Sequence, residues 1–276
     1  MFKQTLKIIF GKNIIFKAKL IYYKILGYYF VKKPIGNKSD YIKLYNDYLE
    51  KIKTNTFVQD NFNNKEISFI NKLALNTQVV KKNSKINWMH GFILMKTLKD
   101  YLKENSDNKF IILETGTAAG FSSLIMSYVL YLHNEEYIIY TIDIVPHNKK
   151  IYWNRISDHI VGKTSRRELL NEYLYLLKNI RFINDVSKNY FRNKPNFKRV
   201  NFAFIDGSHD YEDVKAEFDF VDKHNIKGDM IVLDDYSPGK FDGIVKITNE
   251  IKISKKYVIN IINSYDNRGY VILKKI

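Results

Sequence analysis

The chain reads as an α/β protein, a mostly parallel sheet with helices on both faces, closed at one edge by an antiparallel hairpin. Three observations carry that expectation. From residue 90 onward, short apolar runs alternate with stretches of helical spacing, the pattern of strands joined by crossover helices. The run Lys109–Glu114 (Lys-Phe-Ile-Ile-Leu-Glu) is almost continuously apolar, which suits a parallel strand covered on both sides. The last two runs, Tyr257–Ser264 and Gly269–Lys275, flank Tyr265-Asp266-Asn267-Arg268, a connection of hairpin length.

In chain order, Lys33-Pro34-Ile35-Gly36-Asn37 is a breaker cluster. Tyr41, Leu44, Tyr45, Tyr48, Leu49 and Ile52 recur at helical spacing over residues 40–53. Residues 54–65 are polar and read as loop, and a helix is expected from Lys65 to Thr77. Phe92, Met95, Leu98 and Leu102 mark a helix over Gly91–Lys103. Strands are expected at Lys109–Glu114, Glu136–Asp143, Arg181–Asn184, Val200–Asp206 and Asp229–Asp234. Helices are expected at Phe121–Leu132, Ser165–Lys178, Tyr211–His224 and Asp242–Ile253. With the hairpin this makes a seven-stranded, Rossmann-like sheet. Residues 1–60 are expected to form a basic, aromatic, mainly helical N-terminal extension, and residues 61–276 the main domain.

The 276 residues are 45% hydrophobic and 27% charged, ordinary for a folded chain. Cysteine is absent, which excludes disulfides, thiolate metal sites and thiol catalysis. The net charge of +16 suggests a polyanion partner until its distribution is considered. Residues 1–39 hold nine lysines and no acid, so the remainder is only mildly basic. Only seven of the 45 basic residues are arginine, the residue that reads phosphates and bases bidentately. Nucleic acid is therefore a poor candidate partner. No apolar run in residues 1–33 is long enough to span a bilayer, and the recurring lysines do not suit a signal peptide. The arm can pack on the main domain or on a second subunit. It can instead rest on anionic lipid, or touch a polyanionic glycan. A cytoplasmic protein, with peripheral contact at the inner membrane surface, is expected.

The most informative segment is Ile111-Ile112-Leu113-Glu114-Thr115-Gly116-Thr117-Ala118-Ala119-Gly120-Phe121-Ser122-Ser123. A strand ends in a glycine-bearing turn that opens directly into a helix. Gly116 permits the tight turn and, having no side chain, leaves room for a ligand to approach the backbone. Gly120 permits close packing of the helix start, and Ser122 and Ser123 supply hydroxyls there. The glycine spacing is not that of dinucleotide binders. Acids follow three successive strands, at Glu114, Asp143 and Asp185.

This pattern resembles the class I S-adenosylmethionine-dependent methyltransferases, whose first motif reads acid-x-Gly-x-x-x-Gly. The resemblance implies that Glu114 and the Gly116–Gly120 loop, with Thr117 and Ser122, hold the methionine portion of the cofactor. It implies Asp143 on the ribose hydroxyls and Asp185 near the adenine. It also puts His90, in Trp88-Met89-His90-Gly91, in the cofactor pocket.

A second constellation is Phe204-Ile205-Asp206-Gly207-Ser208-His209-Asp210-Tyr211, followed one strand later by Leu233-Asp234-Asp235-Tyr236. Parallel strands open on one edge, so Asp206, Asp234 and Asp235 can converge there. Three carboxylates repel one another unless a cation sits between them. An all-oxygen set suits Mg²⁺ or another hard divalent ion. Such an ion can bind neighbouring hydroxyls of a substrate and acidify one of them. His209, an imidazole in the same loop, is the candidate general base.

The strings Asp-Gly-Ser-His-Asp-Tyr and Ile-Val-Leu-Asp-Asp are similar to those of metal-dependent O-methyltransferases acting on macrolide deoxysugars, and of bacterial relatives in polysaccharide and glycolipid pathways. That likeness spans roughly residues 88–275. It implies a metal at Asp206, Asp234 and Asp235, His209 as base, and Asp206 also near the cofactor. One departure is that close macrolide-sugar relatives carry Glu-Asp where this chain has Asp234-Asp235. The expected activity is methyl transfer from S-adenosylmethionine to a sugar hydroxyl, with Mg²⁺ or another hard divalent cation as helper. A homo-oligomer is compatible with it. The alternatives are a basic membrane- or nucleic-acid-binding protein on the same fold, an RNA methyltransferase, and, less well matched, a nicotinamide oxidoreductase. The long connection His147–Arg167, with Tyr152, Trp153, Arg155, Arg166 and Arg167, is either a lid over the acceptor or a surface helix hairpin.

Overall fold

A computed structural model of the chain describes residues 32–82, 86–193, 195–263 and 268–276. The expectations for the basic arm over residues 1–31 and for the hairpin turn at residues 264–267 fall outside these. Seven strands form one sheet: β1 Phe110–Thr115, β2 Tyr137–Asp143, β3 Ile180–Asn184, β4 Phe202–Ile205, β5 Met230–Tyr236, β6 Tyr257–Asn263 and β7 Gly269–Lys275. Their spatial order is β3-β2-β1-β4-β5-β7-β6. Strands β1 to β5 pair in parallel, and β7 runs antiparallel to both β5 and β6. This is the expected doubly wound, Rossmann-like sheet with its closing hairpin.

Alternation along each central strand divides the core into two layers. Phe110 and Ile112, Phe202 and Phe204, Met230 and Val232 point to one face. Leu113, Ala203 and Ile205, Ile231 and Leu233 point to the other. Truncating a ring as enclosed as Phe204 to alanine would cost about 3–5 kcal/mol. Helices Asn64–Thr77, Met89–Glu104 and Phe121–Leu132 supply the first face, and Tyr211–His224 and Asp242–Ser254 the second. The helix Lys38–Lys53 is capped by Asn37, whose side chain accepts from Asp40 N. Its Tyr41, Tyr48 and Ile52 enter the same core layer as Trp88 and Phe92, so the packing runs without a break across residue 60.

Three local expectations differ from the structure. Residues 56–61, read as loop, form a short helix because Asn55 caps it by accepting from Val58 N. The stretch Ser165–Lys178 is not one helix: it breaks into Arg166–Leu169, a 3-10 turn at Asn171–Tyr173, and Leu174–Leu177. Leu170 leaves helical geometry at φ −105°, ψ 19° and ends the first piece. A helix at Ser187–Arg192 follows β3 and was not expected. Among the described residues, no helix is long and apolar enough to cross a membrane.

Candidate active site

The five parallel strands all end at one edge of the sheet, and the chain reverses its direction of travel between β1 and β4. Such a switch point opens a crevice beyond the strand ends. A cavity of about 170 Å³ lies there, lined by Gly116, Asp143, Asp185, Gly207, Ser208 and Asp213 among others. Gly116, Asp143 and Asp185, which the resemblance implied near a cofactor, all border this cavity.

The turn after β1 is fixed by steric necessity. Gly116 has φ +87°, and a Cβ there would stand 2.2 Å from the backbone oxygen of Asp206. The missing side chain lets β1 and β4 close up, while Gly116 still borders the cavity. Gly120 has φ +95°, and its Cβ would press on Leu170 at 2.7 Å. Ala118 also takes a positive φ, of 44°. Its N–H donates to Asp143 Oδ2 at 2.6 Å, while Val145 N donates to Oδ1 at 2.7 Å.

Glu114 is not a free acid. It is fully buried and accepts from the hydroxyls of Ser122, Ser123 and Thr141. Burial raises its pKa, and the three hydroxyls oppose that rise. Ser122 therefore points inward to Glu114, and Thr117 pairs with Thr141. These residues shape the loop from beneath. Asp185 lines the cavity, and its Oδ1 accepts from Val186 N at 2.7 Å. His90 is buried between Phe121 and Phe204, with ring centroids 4.9 and 6.3 Å away. Burial lowers its pKa to about 4, so it is neutral at physiological pH, and its Nδ1 lacks a partner.

Two further residues support this half of the site: Glu217 was not singled out in the sequence, and Arg166 only as one basic residue of the long connection. Arg166 is 1% exposed; its Nε donates to Ala118 O at 2.8 Å and its Nη2 to Val145 O at 3.2 Å. The 147–167 connection thus anchors the turn after β1 through this side chain. Glu217 is fully buried below Gly207 and accepts from Thr115 Oγ1 at 3.0 Å and from Ser187. Burial pushes its pKa up to about 7.

The ends of β4 and β5 carry the second constellation. β5 slips register against β7 between Leu233 and Tyr236, and Asp235 takes φ +59°. A non-glycine residue held in that region marks a local constraint, here a bulge that redirects two consecutive acids. Asp206, His209 and Asp235 converge, each offering a ligand atom within 4.8 Å of the others. His209 Nε2 stands 3.0 Å from Asp235 Oδ2, and its ring packs on Phe241 at 4.3 Å.

Asp234 does not join that group. Its carboxylate turns to Arg268, whose Nη2 donates to Oδ2 at 2.6 Å and whose Nε donates to Oδ1 at 3.4 Å. Arg268 Nε also lies 2.5 Å from Asp235 Oδ1, off the line of a hydrogen bond. The expected trio of Asp206, Asp234 and Asp235 is thus replaced by Asp206, His209 and Asp235, with a guanidinium neutralising the remaining acid. Burial would raise the pKa of Asp234, but Arg268 holds it low. Burial and the charge on Asp234 push Asp206 and Asp235 up. Burial works against the Arg268 cation, and the three acids more than offset it. The signal for Arg268 was its place one residue before β7, beside β5 in the Tyr236–Gly269 register.

Residues 113–236 match the family model described as a methyltransferase domain. No curated protein sequence matches the chain. The chain is similar in structure to the O-methyltransferase NovP, at TM-score 0.54 and 14% identity, over 76% of this chain and 99% of that one. It is similar too to the O-methyltransferase TomG from Streptomyces achromogenes, involved in tomaymycin synthesis and solved with S-adenosylmethionine. There the TM-score is 0.50 and the identity 13%, over 78% of this chain and 91% of that one. At such identities the likeness is one of fold. The family match adds a likeness to methyltransferase domains over residues 113–236, the stretch that runs from the end of β1 through β5 with the connections between them.

Proposed function

We propose that this methyltransferase domain moves the methyl group of S-adenosylmethionine to a hydroxyl oxygen of a sugar-containing acceptor, assisted by a hard divalent cation. The observation that carries the reading is the convergence of Asp206, His209 and Asp235 at the strand ends beside the cofactor crevice. A fold shared with O-methyltransferases supports it. The donor set fits a cation: Asp206 and Asp235 are hard oxygen ligands, with an imidazole alongside. Bound there, the cation would supply positive charge that acidifies a hydroxyl near it.

The chain's own residues do the rest. The Gly116–Gly120 turn, held by Glu114 and Arg166, presents the cofactor in a fixed pose. Asp143 and Asp185 border the crevice, and in this reading they take the ribose hydroxyls and face the adenine. Asp235 orients the His209 ring through Nε2. His209 takes the hydroxyl proton. The acceptor oxygen then forms its bond to the methyl carbon as the carbon–sulfur bond breaks, and S-adenosylhomocysteine leaves neutral at sulfur. Proximity and charge placement supply most of the acceleration.

The test uses labelled S-adenosylmethionine with a panel of nucleotide sugars, glycolipids and polysaccharide fragments. His209→Ala should bind S-adenosylhomocysteine like the wild type in calorimetry, yet lose turnover by about 10²–10⁴-fold. Chelation should stop turnover and Mg²⁺ should restore it. Full activity in the variant would remove His209 as base, and indifference to chelation would remove the metal.

A further inference from the structure

One strongly enclosed cation, Arg155, forms no ion pair among the described residues. Arg155 is only 8% exposed, and its Nε and Nη1 are enclosed without a hydrogen-bond partner. Asp158, the closest acid to it electrostatically, is committed to backbone. Its Oδ1 accepts from Trp153 N at 3.0 Å and its Oδ2 from Arg155 N at 3.3 Å. The Tyr41 hydroxyl, also nearby, is directed to Ile35 O and Asn154 Oδ1. Residues 1–39 contain no carboxylate that could serve. Burial lowers the guanidinium pKa to about 10, which leaves it charged at neutral pH. Leaving buried guanidinium donors without acceptors costs free energy, which an oxyanion placed there would repay.

A second cation adjoins it. The Asn154 side chain grips the backbone of Lys81 from both sides: Nδ2 donates to Lys81 O at 2.8 Å, and Lys81 N donates to Oδ1 at 3.3 Å. That grip brings together the residues that follow in each segment, Lys82 and Arg155. The Lys82 side chain is exposed. Partial enclosure, then Arg268 and Arg155, lower its pKa, while Asp235 and Asp206 oppose them. Lys82 therefore lies in the field of Arg155 and of the Asp206–Asp235 cluster at once.

We infer that Arg155 and Lys82 form an oxyanion subsite on the acceptor side of the transfer centre, taking a phosphate or carboxylate carried by the sugar. The word acceptor rests on the O-methyltransfer reading above; the subsite itself does not. Two cations within each other's field favour a doubly charged anion, so a phosphorylated or nucleotide-linked sugar is the expected class. A sugar carboxylate is the singly charged source of the same chemistry.

The experiment is calorimetry on the full chain in the presence of a chelator, with inorganic pyrophosphate, glucuronate and S-adenosylhomocysteine titrated separately. Wild type should bind pyrophosphate more tightly than glucuronate; the reverse order would assign the site to carboxylates. Lys82→Gln should weaken oxyanion binding about tenfold and leave S-adenosylhomocysteine affinity unchanged. Arg155→Lys should weaken it too. Lys82 is exposed, so its variant decides the matter even if Arg155 variants fold poorly. Equal oxyanion binding by wild type and Lys82→Gln overturns the inference. So does an equal loss in Lys252→Gln, an exposed lysine on a helix of the other face, because net charge alone would then account for binding. Failure of S-adenosylhomocysteine to bind would instead sink the methyltransfer reading, with the oxyanion result standing by itself.

Discussion

Glu114 and Asp234 are both buried carboxylates at the same sheet edge, and they are accommodated by opposite means. Glu114, at the end of β1, receives three neutral hydroxyls. Asp234, near the end of β5, receives a guanidinium. The contrast extends to their surroundings. On the cofactor side, Asp143 is held by amides, Glu217 by hydroxyls and Arg166 by carbonyls. On the side proposed for the acceptor, Asp235 bears on Asp206, and Arg155 Nε and Nη1 lack partners among the described residues. Apart from His90 Nδ1, the half proposed for the cofactor is thus paired before any ligand arrives, as a preorganised turn should be. The acceptor half carries surplus charge of both signs, which ligands can neutralise. Substitutions on the first side should register as stability, and on the second as stability that ligands restore.

Arg268→Met is the strongest way to break this contrast. It leaves Asp234 buried beside Asp206 and Asp235 with no cation, a loss of about 3–5 kcal/mol. The urea midpoint should fall accordingly, and millimolar Mg²⁺ should recover part of the loss by binding only the folded chain. A midpoint that barely moves, or ignores Mg²⁺, would show that the acceptor half is not charge-strained.

Glu114→Ala should come next, at about 2–4 kcal/mol, because it strands the buried hydroxyls of Ser122, Ser123 and Thr141. Here Mg²⁺ should make no difference, and Glu114→Gln, which keeps an acceptor oxygen, should lose less. Mg²⁺ rescue of Glu114→Ala would dissolve the distinction between the two halves.

The smallest effect is a pH dependence. Burial raises Glu217 to about 7 in the folded chain, above the ordinary carboxylate value, so the folded state holds its proton more tightly than the unfolded one. The contribution is full below the ordinary carboxylate pKa and fades as pH climbs through about 7. Glu217→Gln should remove that slope and gain about 1–2 kcal/mol relative to wild type at pH 8. Parallel melting-temperature curves for the two proteins between pH 5 and 8 would contradict it.

Much of this was legible in the chain. The strands and the longer helices follow from hydrophobic periodicity, which acts over neighbouring residues. The acids Glu114, Asp143, Asp206, Asp234 and Asp235 stand out because each closes an apolar run, and a parallel sheet brings such ends to one edge. The short helices at 56–61 and 187–192 escaped because so few residues cannot display a period. Arg268 escaped because its partner is 34 residues away and is met only through antiparallel pairing of β7 with β5. Arg166 looked like one of several basic residues in a long connection. Nothing local says that it reaches Ala118, 48 residues earlier.

By itself, the sequence determined the fold class, the crevice at the strand ends, the glycine turn and the chemical types gathered beside it. These rest on local rules: side-chain period, the freedom of glycine, and acids placed at strand termini. Only the tertiary structure decided how the charges are shared. The bulge at Asp235 separates the two consecutive acids, giving one to His209 and one to Arg268. Packing of residues 153–159 against residues 35–41 and 81 buries Arg155 with Nε and Nη1 unpaired among the described residues. Charge pairing depends on distance and desolvation in three dimensions, and no pattern along the chain encodes either.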